Sequence, residues 1–335
     1  MKFGILLTSV YGRSVPATRQ RDEHAELVRT AEQAGFSLMV AGQHFLGAEL
    51  RYFQPVPWLT YMAQQAPSMD VATGIVLLSM VNPVDMAEQI STLDVVTDGR
   101  VRFGVGLGYS PHEFDAFGVG KGERVPRFEE SLDLIRRLWS GEKVTFAGRF
   151  TAVHDAQPAV QPVQSGGPPV WIGGQATGAV KRAATLGDAW YTPPFPTHAQ
   201  LYEMHRLFVD TRAAAGQAPA AEFPVRRELL IADSREEAME AALVRYRARY
   251  ETYRKWGLKG QNTPVEKSGQ ELREDIDQRF ILGTPEECAA ELHKLGDEIG
   301  MTHFVYKPHW PGLPHAEAMR QLDRFGAEVI PLLAD

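Results

Sequence analysis

Runs of β-branched and apolar residues alternate along this chain with stretches in which apolar positions recur every three or four residues. The clearest instance lies between Asp70 and Gly108. Val71 to Leu78 is apolar at nearly every position, which suits a parallel strand buried on both faces. Asn82 and Pro83 then start a helix, with proline in the first turn where its missing N–H costs nothing. Val84, Ala87, Ile90, Leu93 and Val96 supply its apolar stripe, Asp98 and Gly99 end it, and Val101 to Val105 resumes a buried strand. Together these form one βαβ unit. Gly104, Gly106 and Gly108 follow at every second position, which fits either a loop that needs positive φ or a strand end that something approaches closely.

The same rhythm fills the rest of the chain. Lys2 to Thr8 reads as a first strand, a helix carrying Leu27, Ala31 and Ala34 follows, and Ser37 to Ala41 is a second strand that runs straight into Gly42, Gln43, His44 and Phe45. Trp58 to Ala66 is a helix, as is the segment from Pro126 through Leu138. Val144 to Val153 looks like a hairpin laid outside the alternation. Strands at Val170 to Gly173, Asp188 to Tyr191, Val225 to Ala232 and Thr302 to Tyr306 complete a set of eight, starting near residues 2, 37, 71, 101, 170, 188, 225 and 302. Regular βα alternation predicts a parallel sheet with right-handed crossovers, and eight strands favour a closed α/β (β/α)8 TIM barrel over an open sheet. The 335 residues are read as one such barrel domain over 1–335, with insertions near 109–125, 140–169 and 251–279.

Composition narrows the class. A net charge of -7 with no Lys/Arg cluster argues against nucleic acid, whose phosphates need a basic face. No apolar run approaches the roughly 20 residues of a membrane span, and Met1 begins directly on a strand, so a cytoplasmic protein without a membrane partner is expected. The single cysteine, Cys288, leaves no internal disulfide and no Cys-cluster metal site, and it reads as a buried structural thiol.

In such barrels chemistry sits at the carboxyl ends of the strands. The residues there are poor in carboxylates and lack HxH, HExxH and GxSxG spacings, so no metal site, paired-carboxylate chemistry or nucleophile elbow is expected. What remains is histidine, hydroxyls, aromatics and glycine-lined backbone, an inventory suited to a flat, phosphate-bearing cofactor that carries the reactive chemistry. The stretch WIGGQATG fits this, since backbone N–H groups opening the helix after Gly173 and Gly174 form an anion site. It fits equally a glycine turn between strand and helix.

Beyond these local readings, KFGILLTS, AGQHF, VATGIVLLSMVNPVDMAEQISTLDVVTDGRVRFGVGLG, EFDAFGV, PVWIGGQATGAVKRAATLGDAW and GTPEECAAEL follow one another across nearly the whole chain. In that order they resemble the bacterial luciferase-like, flavin-dependent oxidoreductase family. The resemblance implies a β/α barrel holding a reduced flavin, FMNH2, or its deazaflavin relative, with the ring in the barrel mouth. His44 matches the family histidine near the flavin, which is thought to assist proton transfer and the C4a oxygen intermediate. Gly74 and Ile75 align with a place where the family often has a non-prolyl cis peptide under the ring. Gly106 and Leu107 stand where bacterial luciferase has a reactive cysteine and a phosphate-binding arginine, so light emission is not expected. Gly106 and Gly108 remain cofactor-binding candidates. The phosphate then falls to Gly173, Gly174, Gln175, Ala176, Thr177 and Gly178, mainly through backbone amides and the Thr177 hydroxyl.

The function these implications point to is an FMN-dependent monooxygenase, an oxidoreductase that receives FMNH2 from a separate flavin reductase, adds O2 at the flavin C4a and delivers one oxygen atom to a small organic substrate. Tyr11, Phe45, Tyr109, Ser110, Trp190, Lys307, His309 and Trp310 are the substrate-pocket candidates, and so many aromatics suit an apolar or aromatic compound. The alternatives are a deazaflavin-dependent hydride-transfer oxidoreductase on the same fold and a non-catalytic flavin-binding protein. The resemblance also implies a homodimer packed through the early helices.

Overall fold

The computed structural model describes residues 1–8, 10–47, 50–255 and 269–334. In chain order the elements are β1 (Lys2–Leu7), α1 (Ala17–Gln33), β2 (Leu38–Ala41), α2 (Pro55–Ala63), β3 (Asp70–Thr73), β4 (Val76–Leu77), α3 (Pro83–Val96), β5 (Val101–Gly106), α4 (Pro111–Ala116), α5 (Arg124–Leu138), β6 (Val144–Ala147), β7 (Ala152–Ala156) and β8 (Val170–Gly173). They continue as α6 (Thr177–Leu186), β9 (Ala189–Tyr191), α7 (His198–Ala214), β10 (Pro224–Arg226), β11 (Glu228–Ile231), α8 (Arg235–Lys255), α9 (Gly269–Asp277), β12 (Phe280–Gly283), α10 (Pro285–Ile299), β13 (His303–Tyr306) and α11 (His315–Arg324).

The main sheet is parallel throughout, in the order β10-β13-β1-β2-β3-β5-β8-β9, with β4 added beside β5. A parallel bridge between Thr192 and Val225 brings β9 to β10 and closes the ring. This is the expected (β/α)8 barrel. Leu6, Leu38, Val40, Ala72, Trp171, Ala189, Tyr191 and Val305 pack together inside it. The larger apolar layer, including Ile5, Met39, Val71, Phe103, Ile172, Trp190 and Phe304, lies between sheet and helices. At the amino ends of the strands, Arg102 bonds both Asp70 (2.9 Å) and Glu222 (3.0 Å), Lys2 reaches Asp70 (3.2 Å), and the Trp171 indole donates to Glu222 (2.8 Å). This network fills that end with paired charge. The site candidates stand at the other end.

Local chemistry explains the element starts. The Asn82 side chain accepts from the Val84 and Asp85 N–H groups (2.9 and 3.2 Å) ahead of Pro83, as the helix signal predicted. Capping boxes open α7 at Thr197 and Gln200 and α10 at Thr284 and Glu287. One expected member of the α3 stripe departs: Val96 is exposed. Repeated steps of three drift backward around a 3.6-residue helix, so Val96 lies about 120° from Val84, and Ser91, Asp94 and Thr97 are buried instead.

Two further departures bear on the site or its surroundings. The strand expected over Val71 to Leu78 is broken into β3 and β4; the peptide bond between Gly74 and Ile75 at the break is cis, as the family resemblance implied. The strand expected over Val225 to Ala232 is split at Arg227; its first half belongs to the barrel, and its second half pairs with β12, a strand the sequence reading missed. The hairpin near residue 144 is present as the antiparallel pair β6–β7, outside the barrel. Of the charged 251–279 segment, residues 256–268 lie outside the described residues; α8 and α9 flank them.

The glycines within β5 are explained by the break. A Cβ at Gly104 would overlap the Thr73 carbonyl oxygen, and a Cβ at Gly106 would overlap the Ile75 side chain. What approaches these two backbone positions is therefore the chain's own 73–75 segment, and Thr73 Oγ1 also donates to the Gly104 carbonyl (2.7 Å). Gly104→Ala should therefore lower stability by about 2–3 kcal/mol, the usual cost of overpacking a closed site, read as a drop in the urea midpoint with unchanged slope.

Candidate active site

Gln43 ties the break in the third strand to the loop that follows β2. Its N–H donates to the Ile75 carbonyl (3.2 Å), its side-chain oxygen accepts from the Leu77 N–H (2.9 Å), and its amide donates to Gln54 (3.0 Å). Gln54 in turn donates to the carbonyl of His44 (3.2 Å). Two amide side chains thus hold the backbone of the next residue, His44, in register with the exits of β3 and β4.

The His44 imidazole is held separately. Glu113 on α4 accepts at one oxygen, Oε1, from the Phe45 N–H (2.7 Å) and from His44 Nδ1 (3.0 Å). Its side chain is 3% exposed, whereas that of His44 is 25% exposed, so the pair has a buried anchor and an accessible ring. With Nδ1–H donated to the carboxylate, Nε2 is the nitrogen left to exchange a proton. The Tyr109 hydroxyl stands 3.5 Å from Nε2, and the Tyr52 ring packs edge-on against the imidazole at 4.7 Å between centroids. The second Glu113 oxygen is buried without a hydrogen-bond partner among the described residues.

A cavity of about 410 Å³ opens beside His44, within the roughly 300–1,000 Å³ of small-molecule sites. Phe45, Leu46, Leu50, Tyr52 and Phe117 give it apolar walls, and Arg51 and Gln54 give it polar groups. Across the mouth, the β8 exit runs from Gly173 through Gly174, Gln175 and Ala176 into α6. No side chain caps that helix, and Thr177 and Gly178 in its first turn are exposed. The Trp190 indole donates to the Gly174 carbonyl (2.7 Å) and pins this loop from behind.

The expected site residues divide accordingly. His44, Phe45 and Tyr109 come together around Glu113, and Ser110 opens α4. Gly74, Ile75, Gly106 and Gly173 meet one another, with Ile75 packed over both glycines, and Gly108, at φ 78°, turns the chain toward α4. Trp190 is corrected: it is fully buried against Phe208 and Phe223 on the helix side, because Tyr191, next in the alternation, takes the inward position. Trp310 is corrected too, packing on Phe280 in the small cluster beneath β11 and β12, with the Lys307 ammonium 4.2 Å over its ring. Tyr11 and His309 do not line the cavity; both are buried around His24, and His309 Nε2 meets His315 Nδ1 at 2.9 Å. Glu113, Arg51 and Gln54 are residues around His44 that the sequence reading did not select. The one signal for Glu113 was an acid in an aromatic-rich loop at an otherwise acid-poor mouth. Cys288 is buried, which pushes its thiol up to about 12, in keeping with a structural role.

Comparison with known proteins follows the same lines. The sequence pattern described as luciferase-like monooxygenase matches residues 1–303. Over 318 residues the chain is 28% identical to the 4-hydroxyprotoasukamycin monooxygenase of Streptomyces nodosus subsp. asukaensis, covering 90% of this chain and 83% of that one. Over 292 residues it is 29% identical to the F420-dependent glucose-6-phosphate dehydrogenase of Kineococcus radiotolerans, covering 82% and 81%. Among solved structures, a monooxygenase from Streptomyces bottropensis superposes over 100% of both chains with a TM-score of 0.85 at 23% identity. The oxygenating constituent of 3,6-diketocamphane monooxygenase from Pseudomonas putida, in complex with FMN, superposes over 99% of this chain and 98% of that one, with a TM-score of 0.78 at 17% identity. At such identities the structures speak for the fold.

Two measurements test this geometry. Glu113→Ala leaves the buried Phe45 N–H without an acceptor and should cost about 1–3 kcal/mol in a denaturation experiment, whereas Glu113→Gln, which keeps an acceptor oxygen, should cost less. Burial holds His309 neutral, its pKa pushed down to about 3, and lowers His24 well below its ordinary value. Unfolded histidine titrates near 6.5, so the unfolded chain binds these protons first. Stability is then complete above about pH 6.5 and falls by roughly 1.4 kcal/mol per pH unit per buried histidine on the way down. Urea midpoints at pH 7.5 and 5.5 should differ accordingly; equal midpoints would contradict the buried, neutral assignment.

Proposed function

Because this chain belongs to the luciferase-like monooxygenase family and is an oxidoreductase, we propose that it is a monooxygenase that takes reduced FMN from a separate flavin reductase and transfers one atom of O2 to a small apolar or aromatic substrate. The balance is one substrate, O2 and FMNH2 giving the oxygenated product, water and FMN. The observation that carries this reading is the His44–Glu113 pair beside a cavity of small-molecule size with aromatic walls: an orientated proton carrier within reach of a bound compound.

The residues fit a flavin. The uncapped start of α6, with Thr177 and Gly178 exposed, has the donors for its phosphate. Gly74 and Ile75, both partly exposed between the exits of β2, β5 and β8, offer an apolar ledge for its ring. Bound there, the reduced flavin supplies the two electrons that activate O2. The protein's part is proton handling. Glu113 fixes the His44 ring through Nδ1, and Nε2 takes up or delivers the proton. Phe45, Tyr52 and Phe117 give the cavity beside it aromatic walls. Oxygen transfer is supported by the monooxygenase aligned over 90% of the chain.

A second reading, hydride transfer with a deazaflavin, draws on the F420-dependent dehydrogenase aligned over 82% of the chain. Anaerobic titration with FMNH2 and with reduced deazaflavin, followed by admission of 18O2, separates the two. Tight FMNH2 binding with label in the product is the expected result, and exclusive deazaflavin binding without oxygen uptake would sink the proposal. In the same assay His44→Ala should lower turnover by about 10²–10⁴-fold, the range for loss of a proton-transfer group, with FMNH2 affinity nearly unchanged.

A further inference from the structure

We propose that Gln43 and Gln54 are positioning residues for His44, and that a one-way chain of hydrogen bonds through their amides sets which ring nitrogen of His44 carries the proton; this rests on the reading of His44 as the proton carrier. The direction of the chain is dictated by its two ends. The Leu77 N–H only donates, so Gln43 turns its side-chain oxygen to it (2.9 Å). The Gln43 NH2 then donates to the Gln54 oxygen (3.0 Å), and the Gln54 NH2 donates to the His44 carbonyl (3.2 Å), which only accepts. Donor meets acceptor at every step. Turning either amide over would set two oxygens or two N–H groups against each other, so the chain holds one arrangement.

Local sequence leaves both side chains available for this task. Gln54 is the N-cap residue of α2, yet its side chain makes no capping bond. Pro55 and Pro57 have no N–H, so the first turn of that helix has little to cap, and the amide reaches His44 instead. Gln43 grips both sides of the strand break, the Ile75 carbonyl through its own N–H (3.2 Å) and Leu77 through its buried side chain. The chain ends on the peptide unit that Glu113 also holds. The carbonyl of that unit, from His44, accepts from Gln54; its N–H, from Phe45, donates to Glu113 Oε1 (2.7 Å), the same oxygen that meets His44 Nδ1 (3.0 Å). One peptide plane is thus clamped at both edges. Releasing the Gln54 edge lets the plane turn, which moves the N–H that fixes the Glu113 oxygen and frees Nδ1 from its acceptor. A side chain of the same length but without a donor and an acceptor could not replace either glutamine.

The test is nitrogen NMR of the full chain labelled with 15N-histidine, without added flavin, at about pH 8, where an ordinary imidazole is neutral. The His44 ring signals are those lost in His44→Ala, and their shifts report which nitrogen bears the proton. The Nδ1–H form should predominate in the unsubstituted chain and fall to half or less in Gln54→Met, which is close in size and uncharged. Gln54→Glu keeps the shape but sets an oxygen against the His44 carbonyl, and should have the same effect. Because the amides act in series, Gln43→Met should match Gln54→Met, and the double variant should change the tautomer no further than either single one. Melting curves establish which variants are folded; Gln54 is only half-buried, so its two variants decide the matter if Gln43→Met fails to fold. A folded Gln54→Met that keeps the Nδ1–H form, or a double variant whose change is the sum of the two, would overturn the proposal. FMNH2 titration of the same preparations keeps the two readings apart. Loss of flavin binding by the unsubstituted chain defeats the flavin reading and leaves the tautomer result standing, whereas intact flavin binding with an unmoved tautomer defeats only the amide chain.

Discussion

The contact on which the mouth of this barrel depends is the seating of the 73–75 segment on the glycine positions of β5. The Thr73 carbonyl lies where a Cβ of Gly104 would be, Ile75 lies over Gly106 and Gly173, and the Thr73 hydroxyl ties the two strands with a further bond to Gly104. Any side chain at those positions would push the third strand outward. From that ledge the order passes to Gln43, which bonds both Ile75 and Leu77, then to Gln54, and from Gln54 to the His44 backbone. The histidine's place at the mouth is therefore set by packing two strands away.

Charge is distributed to match. The amino end of the barrel is filled with paired groups, Lys2, Asp70, Arg102 and Glu222, whose mutual contacts lie within 2.9–3.2 Å. At the open end, one buried carboxylate, Glu113, holds the imidazole and the backbone of the same loop through a single oxygen. Sharing one acceptor between the Phe45 N–H and His44 couples loop position to ring orientation, so the loop cannot shift without releasing the ring. The cavity beside the orientated imidazole has walls of Phe45, Leu46, Leu50 and Phe117.

The histidines away from the mouth have a different task. His24 and His309 are stacked, 5.9 Å between centroids, with Tyr11 against both, where α1 meets the chain leaving β13. Their burial makes them part of the packing, which is why two residues that look chemical in the sequence, His309 and Tyr11, do not line the cavity. The same holds for Trp190 and Trp310, whose rings are large enough to fill gaps between layers and are used for that.

The sequence by itself determined the barrel. Apolar runs and helical stripes repeat eight times, and local signals such as Asn82–Pro83 and the Thr284–Glu287 capping box are complete within a few residues. It also placed His44, because a strand end is a local feature. The periodicity did not show the break at Gly74 and Ile75 or the loss of the second half of the 225–232 run, as β11, to a second sheet, since an apolar run reads the same whether or not it is interrupted. Strand alternation puts Trp190 and Tyr191 on opposite faces, but a run of two aromatics carries no label for inside and outside; the register with β8 decides it. Glu113 acquires its place at His44 only in three dimensions. It lies 69 residues from His44 along the chain, and a carboxylate has no meaning at a site until folding supplies its partner.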